Sequence, residues 1–412
     1  MIRPTALSLS QTWQTLRRVS RILWVRVALI SALSIAAALS AGLLDPLIPQ
    51  ASKDRFSAEA TLPVLNVLAS SMLAVATFSL GIMVSSHRTL ADQSTPRIHQ
   101  LLMEDTSTQS VLATFIGAFV FALSAIILFR AGYYDQSAVV IVFVATVMVV
   151  LAIVVSLIRW IGRLSQIGSL QYALDRAEDS ARSVLNTHRE WPCMGALAVT
   201  DAAAAAANTP VRAQASGYVT RIQLADLQER AEKDKARVVL SVRPGDHVLS
   251  GEIVARLDGD ADPEAYAGCI LLGQNRSYDQ DPRYAIRTLR ESAQKALSPG
   301  INDPGTAMDV TARLERLLWE ATEPIEKKEA LYDRVYLPEY APDALVDMAF
   351  RAIARDGRTN VSVLARVAAA VDKLSQRCGS DRTEALARDI VAFGQDGLTA
   401  APDRAGFSDR RG

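Results

Sequence analysis

Four long apolar windows in the first 160 residues limit what this chain can fold into more than any other feature of its sequence. They span residues 22–44, 62–84, 111–129 and 137–158. A helix needs about 20 consecutive apolar residues to cross a hydrocarbon core of roughly 30 Å, and each window has about that length. The sequence therefore predicts a transmembrane domain of four helices over residues 22–158.

The windows carry no Asp, Glu, Lys or His near their centres. Transporters that couple transport to protons or sodium ions usually need such a group near the membrane midplane. This absence argues against a coupled transporter. It leaves passive permeation and simple membrane attachment as roles for the predicted helices.

Arginines cluster at both ends of the predicted membrane domain. Arg17, Arg18 and Arg21 precede the first window, and Arg159 and Arg163 follow the fourth. Basic residues close to membrane spans are enriched on the cytoplasmic side. Since four crossings bring both ends to the same side, we expect both termini in the cytoplasm.

The rest of the chain has the charge density of a soluble protein. Helical periodicity continues past the fourth window until Trp191-Pro192, and an alanine run at residues 202–207 marks a boundary. Short strands with Gly-rich turns follow, and after them amphipathic helices. The predicted segments are an N-terminal cytoplasmic segment (1–21), the membrane domain (22–158), a helical stalk (159–190), a β-rich module (208–275), a helical domain (276–395) and a disordered tail (396–412). The predicted fold class is a membrane α-helical domain with a cytoplasmic α+β domain that contains a small β-barrel-like module and a C-terminal helical region.

The β-rich module contains two sharp turns, Pro244-Gly-Asp246 and Ser250-Gly251. Their pattern is similar to that of biotinyl/lipoyl-type barrel-sandwich domains, in which glycines at the bends take positive φ. The lysine that carries the swinging cofactor in those domains has no counterpart here. We therefore expect the structure of such a module without a cofactor.

A stripe of small, partly hydroxylated residues runs along the second window. Its members recur at spacings of three and four and are Ser70, Ala74, Thr77, Gly81 and Ser85. Such a stripe allows close packing against another helix, for which Ala113 and Gly117 in the third window offer a matching site. The alternative is that the stripe forms the weakly polar lining of a pore in a homo-oligomer.

Two positions in the helical domain are candidates for binding a small anion or ion. Arg283 and Arg287, with Arg290, share one face of a predicted helix that begins at Pro282, and this face suits a phosphate or carboxylate. Salt bridges within the helix are the alternative. Asn302 and Asp303 precede a second helix, where they either bind a ligand or cap the helix.

The sequence gives no support for catalysis, a metal or nucleic acid. The three cysteines are widely spaced, the formal net charge is +0, and no nucleophile, phosphate-loop or zinc-binding motif lies in a suitable context. We therefore expect no enzymatic activity, no catalytic residue, no metal and no nucleic-acid partner. An enzyme that acts on a phosphorylated substrate through Arg283, Arg287 and Asp303 is a third hypothesis without a supporting motif.

Three strings resemble one known family. They are Val84-Ser-Ser-His87, Ser216-Gly-Tyr-Val219 and the specific string Ala296-Leu-Ser-Pro-Gly-Ile-Asn-Asp-Pro304. They are similar to the bacterial "predicted membrane protein" family known as domain of unknown function twenty-two fifty-four. The resemblance covers nearly the whole chain and implies a four-helix membrane region with a cytoplasmic domain in the bacterial inner (plasma) membrane. It implies no activity.

These features lead to two hypotheses about function. In the first, the chain forms a homo-oligomeric passive pore or channel with a cytoplasmic regulatory domain. In the second, it is a membrane-anchored scaffold or sensor without transport activity. The lipid bilayer is a partner in both hypotheses.

Overall fold

A computed structural model gives the structure of residues 23–40, 58–103, 106–134, 136–164, 169–326 and 328–409. The chain divides into two compact units, Met1–Tyr172 and Ala173–Gly412, which we call the membrane unit and the C-terminal unit. The predicted N-terminal segment (1–21) and the end of the first apolar window lie outside the described residues.

The described part of the membrane unit is helical. Its helices are α1 (Leu23–Ser40), α2 (Ala58–Gln93), α3 (Pro96–Met103), α4 (Thr106–Arg130) and α5 (Gln136–Leu164). Within them, three segments are long and apolar enough to cross a membrane: Thr61–Gln93, Ser110–Arg130 and Ala138–Gly162.

The prediction of four spans is not confirmed. The described apolar part of α1, Val25–Ser40, is shorter than the roughly 20 residues that a crossing needs. The first window was predicted to end at residue 44, and the residues after Ser40 are not described. The structure therefore supports three candidate spans and one shorter apolar helix.

The core of the membrane unit forms where α1 and α2 pack against α4. From α2, the buried side chains include Leu65, Leu68 and Met72, which recur at helical spacing. Helix α4 packs closely against α1 at Gly117, where an added Cβ would lie 2.4 Å from Cγ2 of Ile30. A glycine is therefore needed at this contact.

The described part of the C-terminal unit contains eight strands in two sheets. The strands are β1 (Ala196–Ala198), β2 (Thr209–Arg212), β3 (Gly217–Ile222), β4 (Arg237–Leu240), β5 (His247–Val248), β6 (Ile253–Asp258), β7 (Ile270–Gly273) and β8 (Tyr332–Leu337). One sheet has the order β1-β8-β4-β6-β2 and the other has the order β5-β3-β7. A single apolar core, which includes Val219, Leu257 and Tyr266, joins residues of both sheets.

The prediction of a barrel-like module is wrong, because the two sheets are open and do not close into a barrel. Strand β8 lies outside the predicted module (208–275), yet it inserts between β1 and β4 and pairs in parallel with both. Its Val335 and Leu337 are fully buried. A central strand that comes from the following helical region extends the sheet instead of closing it.

Ten helices, α6 to α15, complete the described part of the C-terminal unit. They are α6 (Leu170–Glu190, whose first residues belong to the membrane unit), α7 (Asp201–Ala206), α8 (Leu224–Lys233), α9 (Pro263–Ala267), α10 (Pro282–Ala296), α11 (Pro304–Ala321), α12 (Pro342–Asp356), α13 (Val361–Cys378), α14 (Asp381–Gly397) and α15 (Ala401–Asp409). The predicted stalk (159–190) covers the end of α5 and all of α6, with residues 165–168 outside the described ones. Helix α15 lies in the segment for which disorder was predicted, and its Phe407 is buried.

Two predicted helix starts are confirmed. The Asp281 side chain caps α10 by accepting a hydrogen bond from the backbone N–H of Tyr284. The Asp303 side chain caps α11 in the same way, with the N–H of Thr306 as donor. In both helices a proline follows the cap, as expected for a first helical position, which has no intrahelical acceptor for its N–H.

Helix α6 is fixed to α11 by a buried charge cluster. The carboxylate of Glu178, whose side chain is 6% exposed, accepts hydrogen bonds from Arg182, Arg313 and Arg316 at 2.7–2.8 Å. Arg313 is itself 5% exposed and also pairs with Asp175 at 2.8 Å. Burial would raise the pKa of Glu178, but the hydrogen bonds from Arg316 and Arg182 hold it below its ordinary value.

Candidate functional site

Four arginines line one open cleft in the C-terminal unit. The cleft has a volume of about 240 Å³, and its lining residues are Gly245, Arg276, Arg283, Arg287, Arg290 and Met348. Three of the arginines lie on α10, one comes from the segment after β7, the glycine from the turn before β5 and the methionine from α12. The cleft is therefore assembled from four separate parts of the sequence.

The arginines of α10 reach the cleft because of their spacing. Positions 283, 287 and 290 follow one another at i, i+4 and i+7, so they share one helical face. Another face of α10 carries the buried side chains Tyr284, Ile286 and Leu289 and faces the core. This pattern fixes α10 with its arginine face towards the cleft.

Asp281 holds Arg276 in place. Its side chain is 1% exposed, and its Oδ2 accepts hydrogen bonds from Nε of Arg276 at 2.9 Å and from Nη2 at 2.5 Å. The other oxygen caps α10. One buried carboxylate therefore fixes both the start of the arginine helix and the arginine that comes from outside it.

Gly245 allows the turn before β5 to approach this carboxylate. Its φ is +87°, and a Cβ added there would lie 1.8 Å from Oδ2 of Asp281. Both the backbone conformation and the close approach require glycine. The prediction of positive φ at the two turn glycines, Gly245 and Gly251, is confirmed.

Three of the four guanidinium groups are paired with a carboxylate. Besides the pair of Arg276 and Asp281, Nη2 of Arg283 donates to Asp246 at 2.6 Å, and Nε of Arg287 donates to Glu291 at 2.7 Å. Charge-assisted pairs of this kind orient both groups strongly. The cleft is therefore lined by guanidinium groups in fixed positions.

Arg290 differs from the other three. In the part of the chain that the structure describes, it forms no ion pair, and its hydrogen bond goes to the backbone carbonyl of Met348 at 3.2 Å. Its Nε is buried without a hydrogen-bond partner. Burial lowers the pKa of Arg290, the nearby carboxylates of Glu291 and Asp356 raise it, and the positive charges of Arg287 and Arg355 lower it; the net shift is downward. Among the described residues, Arg290 is thus a half-buried cation that has no carboxylate in direct contact.

The four ligand-binding candidates from the sequence fall into two places. Arg283 and Arg287 line the cleft, whereas Asn302 and Asp303 lie beyond the opposite end of α10. Arg287 and Ala296 are nine residues apart, which is about 13 Å along a helix. Hydrogen bonds from the hydroxyl and N–H of Thr306 lower the pKa of Asp303. The structure therefore shows the capping role for Asp303 and separates it from the arginines.

The sequence did not indicate Arg276 and Gly245. Arg276 lies in an irregular segment, where helical spacing gives no signal. Gly245 was correctly assigned to a sharp turn, but a turn glycine says nothing about which side chain it approaches. Both contributions depend on tertiary contacts.

The small-residue stripe on α2 lies opposite the packed face of that helix. Met72 is buried and Gly81 is exposed, and nine residues are two and a half helical turns, which places them on opposite sides. All five pore-lining candidates are exposed: Ser70, Ala74, Thr77, Gly81 and Ser85. The suggested match with Gly117 is wrong, because Gly117 packs against Ile30 of α1.

Two hydroxyl groups of the stripe donate hydrogen bonds to carbonyls of their own helix. Ser70 donates to the carbonyl of Asn66 at 3.0 Å, and Thr77 donates to that of Leu73 at 2.9 Å.

Within the described ranges, no group of three or more His, Cys, Asp and Glu side chains is arranged to hold a metal ion.

Comparison with known proteins assigns a family to the chain. Uncharacterised proteins of Mycobacterium bovis and Mycobacterium tuberculosis are 29% identical to it over 135 residues, which is 31% of this chain and 25% of each relative. The match thus spans about a quarter of the length of these curated relatives. No solved structure matches the chain significantly. The family model "Predicted membrane protein (DUF2254)" matches residues 20–373, and the chain therefore belongs to that family.

Proposed function

We propose that this protein is a membrane-anchored sensor whose C-terminal unit binds a small anion in the arginine cleft. The membrane unit holds the protein in the bilayer. The arginine bias at both ends of the membrane domain supports placing the C-terminal unit in the cytoplasm, at the inner membrane of a bacterium.

The half-buried guanidinium of Arg290, which contacts a backbone carbonyl but no carboxylate among the described residues, carries this proposal. A half-buried cation without a direct ion pair is unfavourable, because it has lost part of its hydration. An anion in the cleft supplies a charged acceptor for Nη2 of Arg290, which donates no hydrogen bond within the described residues. Hydrogen bonds to charged groups contribute about 1.5–3 kcal/mol each, so a few of them are enough for measurable binding of a small ligand.

Replacement of Arg290 tests the proposal. We expect inorganic phosphate or malonate, added at constant ionic strength, to raise the melting temperature of the detergent-purified full chain. In Arg290→Gln this shift is expected to fall, with an affinity loss of at least about tenfold, since one charge-assisted contact is removed. Isothermal titration calorimetry measures both affinities.

Arg388→Gln is the matched control, because Arg388 is 71% exposed and does not line the cleft. It is expected to bind both anions as the wild type does. If neither anion binds to the well-folded wild type, the proposal is wrong.

A homo-oligomeric pore is the second candidate. The observation that favours it is the stripe on α2, which faces away from the helices packed in this chain and leaves open space around Gly81. In an oligomer, such a face suits either contacts between subunits or a weakly polar lining.

Ion flux through the purified protein in liposomes tests the pore. Thr77→Leu and Gly81→Leu are expected to abolish flux without changing the size of the oligomer, because they fill the lining. Leu73→Phe, on an exposed position outside the stripe, is the control and is expected to conduct. Absence of flux from well-folded wild type, across salts and under membrane tension, would exclude the pore.

A further inference from the structure

We propose that the chemical group recognised in the arginine cleft is a phosphoryl group. It is held jointly by Arg276, Arg283, Arg287 and Arg290. This inference rests on the proposed function and specifies its ligand. Four observations carry it: the remaining donors, their directions of approach, the carboxylates already present and the size of the cleft.

Each of the four guanidinium groups keeps donors available for a ligand. Arg276 uses Nε and Nη2 on Asp281, and Arg283 uses Nη2 on Asp246 and on the carbonyl of Pro244. Arg287 uses Nε, and Arg290 uses Nη1. Among the described residues, at least one terminal nitrogen of each arginine remains without a hydrogen bond. The cleft therefore offers N–H donors from four arginines.

These donors come from two different parts of the fold. Arg283, Arg287 and Arg290 extend from one face of α10, and Arg276 comes from the segment between β7 and α10. Arg276 is 14% exposed, whereas Arg287 is 40% exposed. Donors thus range from the interior of the cleft to its rim, and they suit an acceptor with oxygens in several directions.

A phosphoryl group fits this donor set better than a carboxylate. A phosphate monoester carries three strongly accepting oxygens that are not in one plane, whereas a carboxylate carries two oxygens in one plane. Next to the cleft, Asp281, Asp246 and Glu291 show how a carboxylate is bound, since each accepts a hydrogen bond from a lining arginine. A single further carboxylate would satisfy Arg290 and leave the other donors without an acceptor. Three phosphoryl oxygens can serve Arg290 and its neighbours together.

The size of the cleft limits how much of the ligand it encloses. Its volume of about 240 Å³ is below the roughly 300–1,000 Å³ of pockets that bury drug-sized ligands. The cleft therefore encloses the phosphoryl group, and the rest of the ligand extends through the open mouth. Inorganic phosphate, a soluble phosphate monoester and the head group of a phospholipid all present this chemistry.

Calorimetric titration of the full chain in detergent at constant ionic strength tests the inference. The probes are methyl phosphate, dimethyl phosphate and malonate, which carry three, two and no terminal phosphoryl oxygens. We expect methyl phosphate to bind at least about tenfold more tightly than malonate, which has the same charge near neutral pH. In the double variant R276K/R290K, which keeps the charges and removes two planar guanidinium groups, this preference is expected to fall to less than about threefold.

The outcomes separate this inference from the proposed function. If malonate binds as tightly as methyl phosphate, the cleft is an anion site but the phosphoryl assignment is wrong. If no probe binds, the proposed function fails as well. Dimethyl phosphate identifies the source: affinity equal to that of methyl phosphate supports a phosphodiester such as a lipid head group, and weaker binding supports a monoester or free phosphate. A preference for methyl phosphate that persists unchanged in the double variant would show that the arginines do not create it and would overturn the assignment.

Discussion

Replacing Gly245 with alanine is expected to lower the free energy of unfolding of the C-terminal unit by about 3 kcal/mol and to weaken anion binding at least tenfold. Two effects add at this position. The backbone has a φ of +87°, and the new Cβ would lie 1.8 Å from Oδ2 of Asp281 and 2.7 Å from Nη2 of Arg276. Either the turn or the buried pair of Asp281 and Arg276 must move, and both form the cleft.

Gly251 provides an unusually close control for this substitution. It also has a φ of +87°, but nothing lies within 4 Å of an added Cβ. Gly251→Ala should therefore show the backbone effect alone, about 1–2 kcal/mol, and leave anion binding unchanged. Urea unfolding of the full chain, followed by tryptophan fluorescence, measures the stability of both variants. Equal losses in the two variants would contradict the close approach of Gly245 to Asp281.

Replacing Glu178 with glutamine is expected to destabilise the C-terminal unit by about 3 kcal/mol at neutral pH, because it removes the buried counter-charge that the buried Arg313 shares with the partly exposed Arg182 and Arg316. Glu178 is 6% exposed and serves Arg182, Arg313 and Arg316. Arg313 keeps Asp175 and Asp309, which limits the loss. Glu384→Gln is the control, since Glu384 and its partner Arg388 are both largely exposed. Its effect is expected to be below about 0.5 kcal/mol.

The same residue gives the stability of the protein a dependence on pH. Burial opposes the charged form of Glu178, but hydrogen bonds from Arg316 and Arg182 hold its folded-state pKa below the ordinary value. A depressed pKa contributes stability above the ordinary glutamate value of about 4.3, and this stability is lost as the pH falls through the folded-state pKa. The difference in melting temperature between wild type and Glu178→Gln is therefore expected to be largest near pH 7 and to narrow below about pH 4. A difference that stays constant down to pH 3 would show that Glu178 does not act through its charge.

Local chemistry was sufficient to predict some parts of this fold. The capping of α10 by Asp281 and of α11 by Asp303 depends on residues within three positions of each cap, as does the conformation of Gly245. The arginine face of α10 follows from helical spacing alone. The apolar windows were equally easy to recognise in the sequence. The length of the first window, however, did not predict that the described apolar part of α1 is shorter.

Features that depend on distant contacts could not be predicted in this way. Strand β8 reads Tyr332-Asp-Arg-Val-Tyr-Leu337, a short segment with two charges inside a region of helical pattern. Its neighbours β4 and β1 begin 95 and 136 residues earlier in the sequence, and no local signal links them to β8. The same limit applies to Arg276, whose position depends on Asp281 and on the approach of Gly245. The arginine face of α10 could therefore be anticipated, but the cleft that it lines could not.

The central position of β8 has a consequence for the order in which the chain can fold during synthesis. When the ribosome has made β1 to β7, the facing edges of β1 and β4 still lack the strand that pairs with both of them. Unpaired edges are sites of aggregation, so the nascent chain passes through a vulnerable interval that ends only when residue 337 has emerged. Helices α10 and α11 are completed within this interval. The helix that carries three of the cleft's arginines is thus made before the five-stranded sheet is complete.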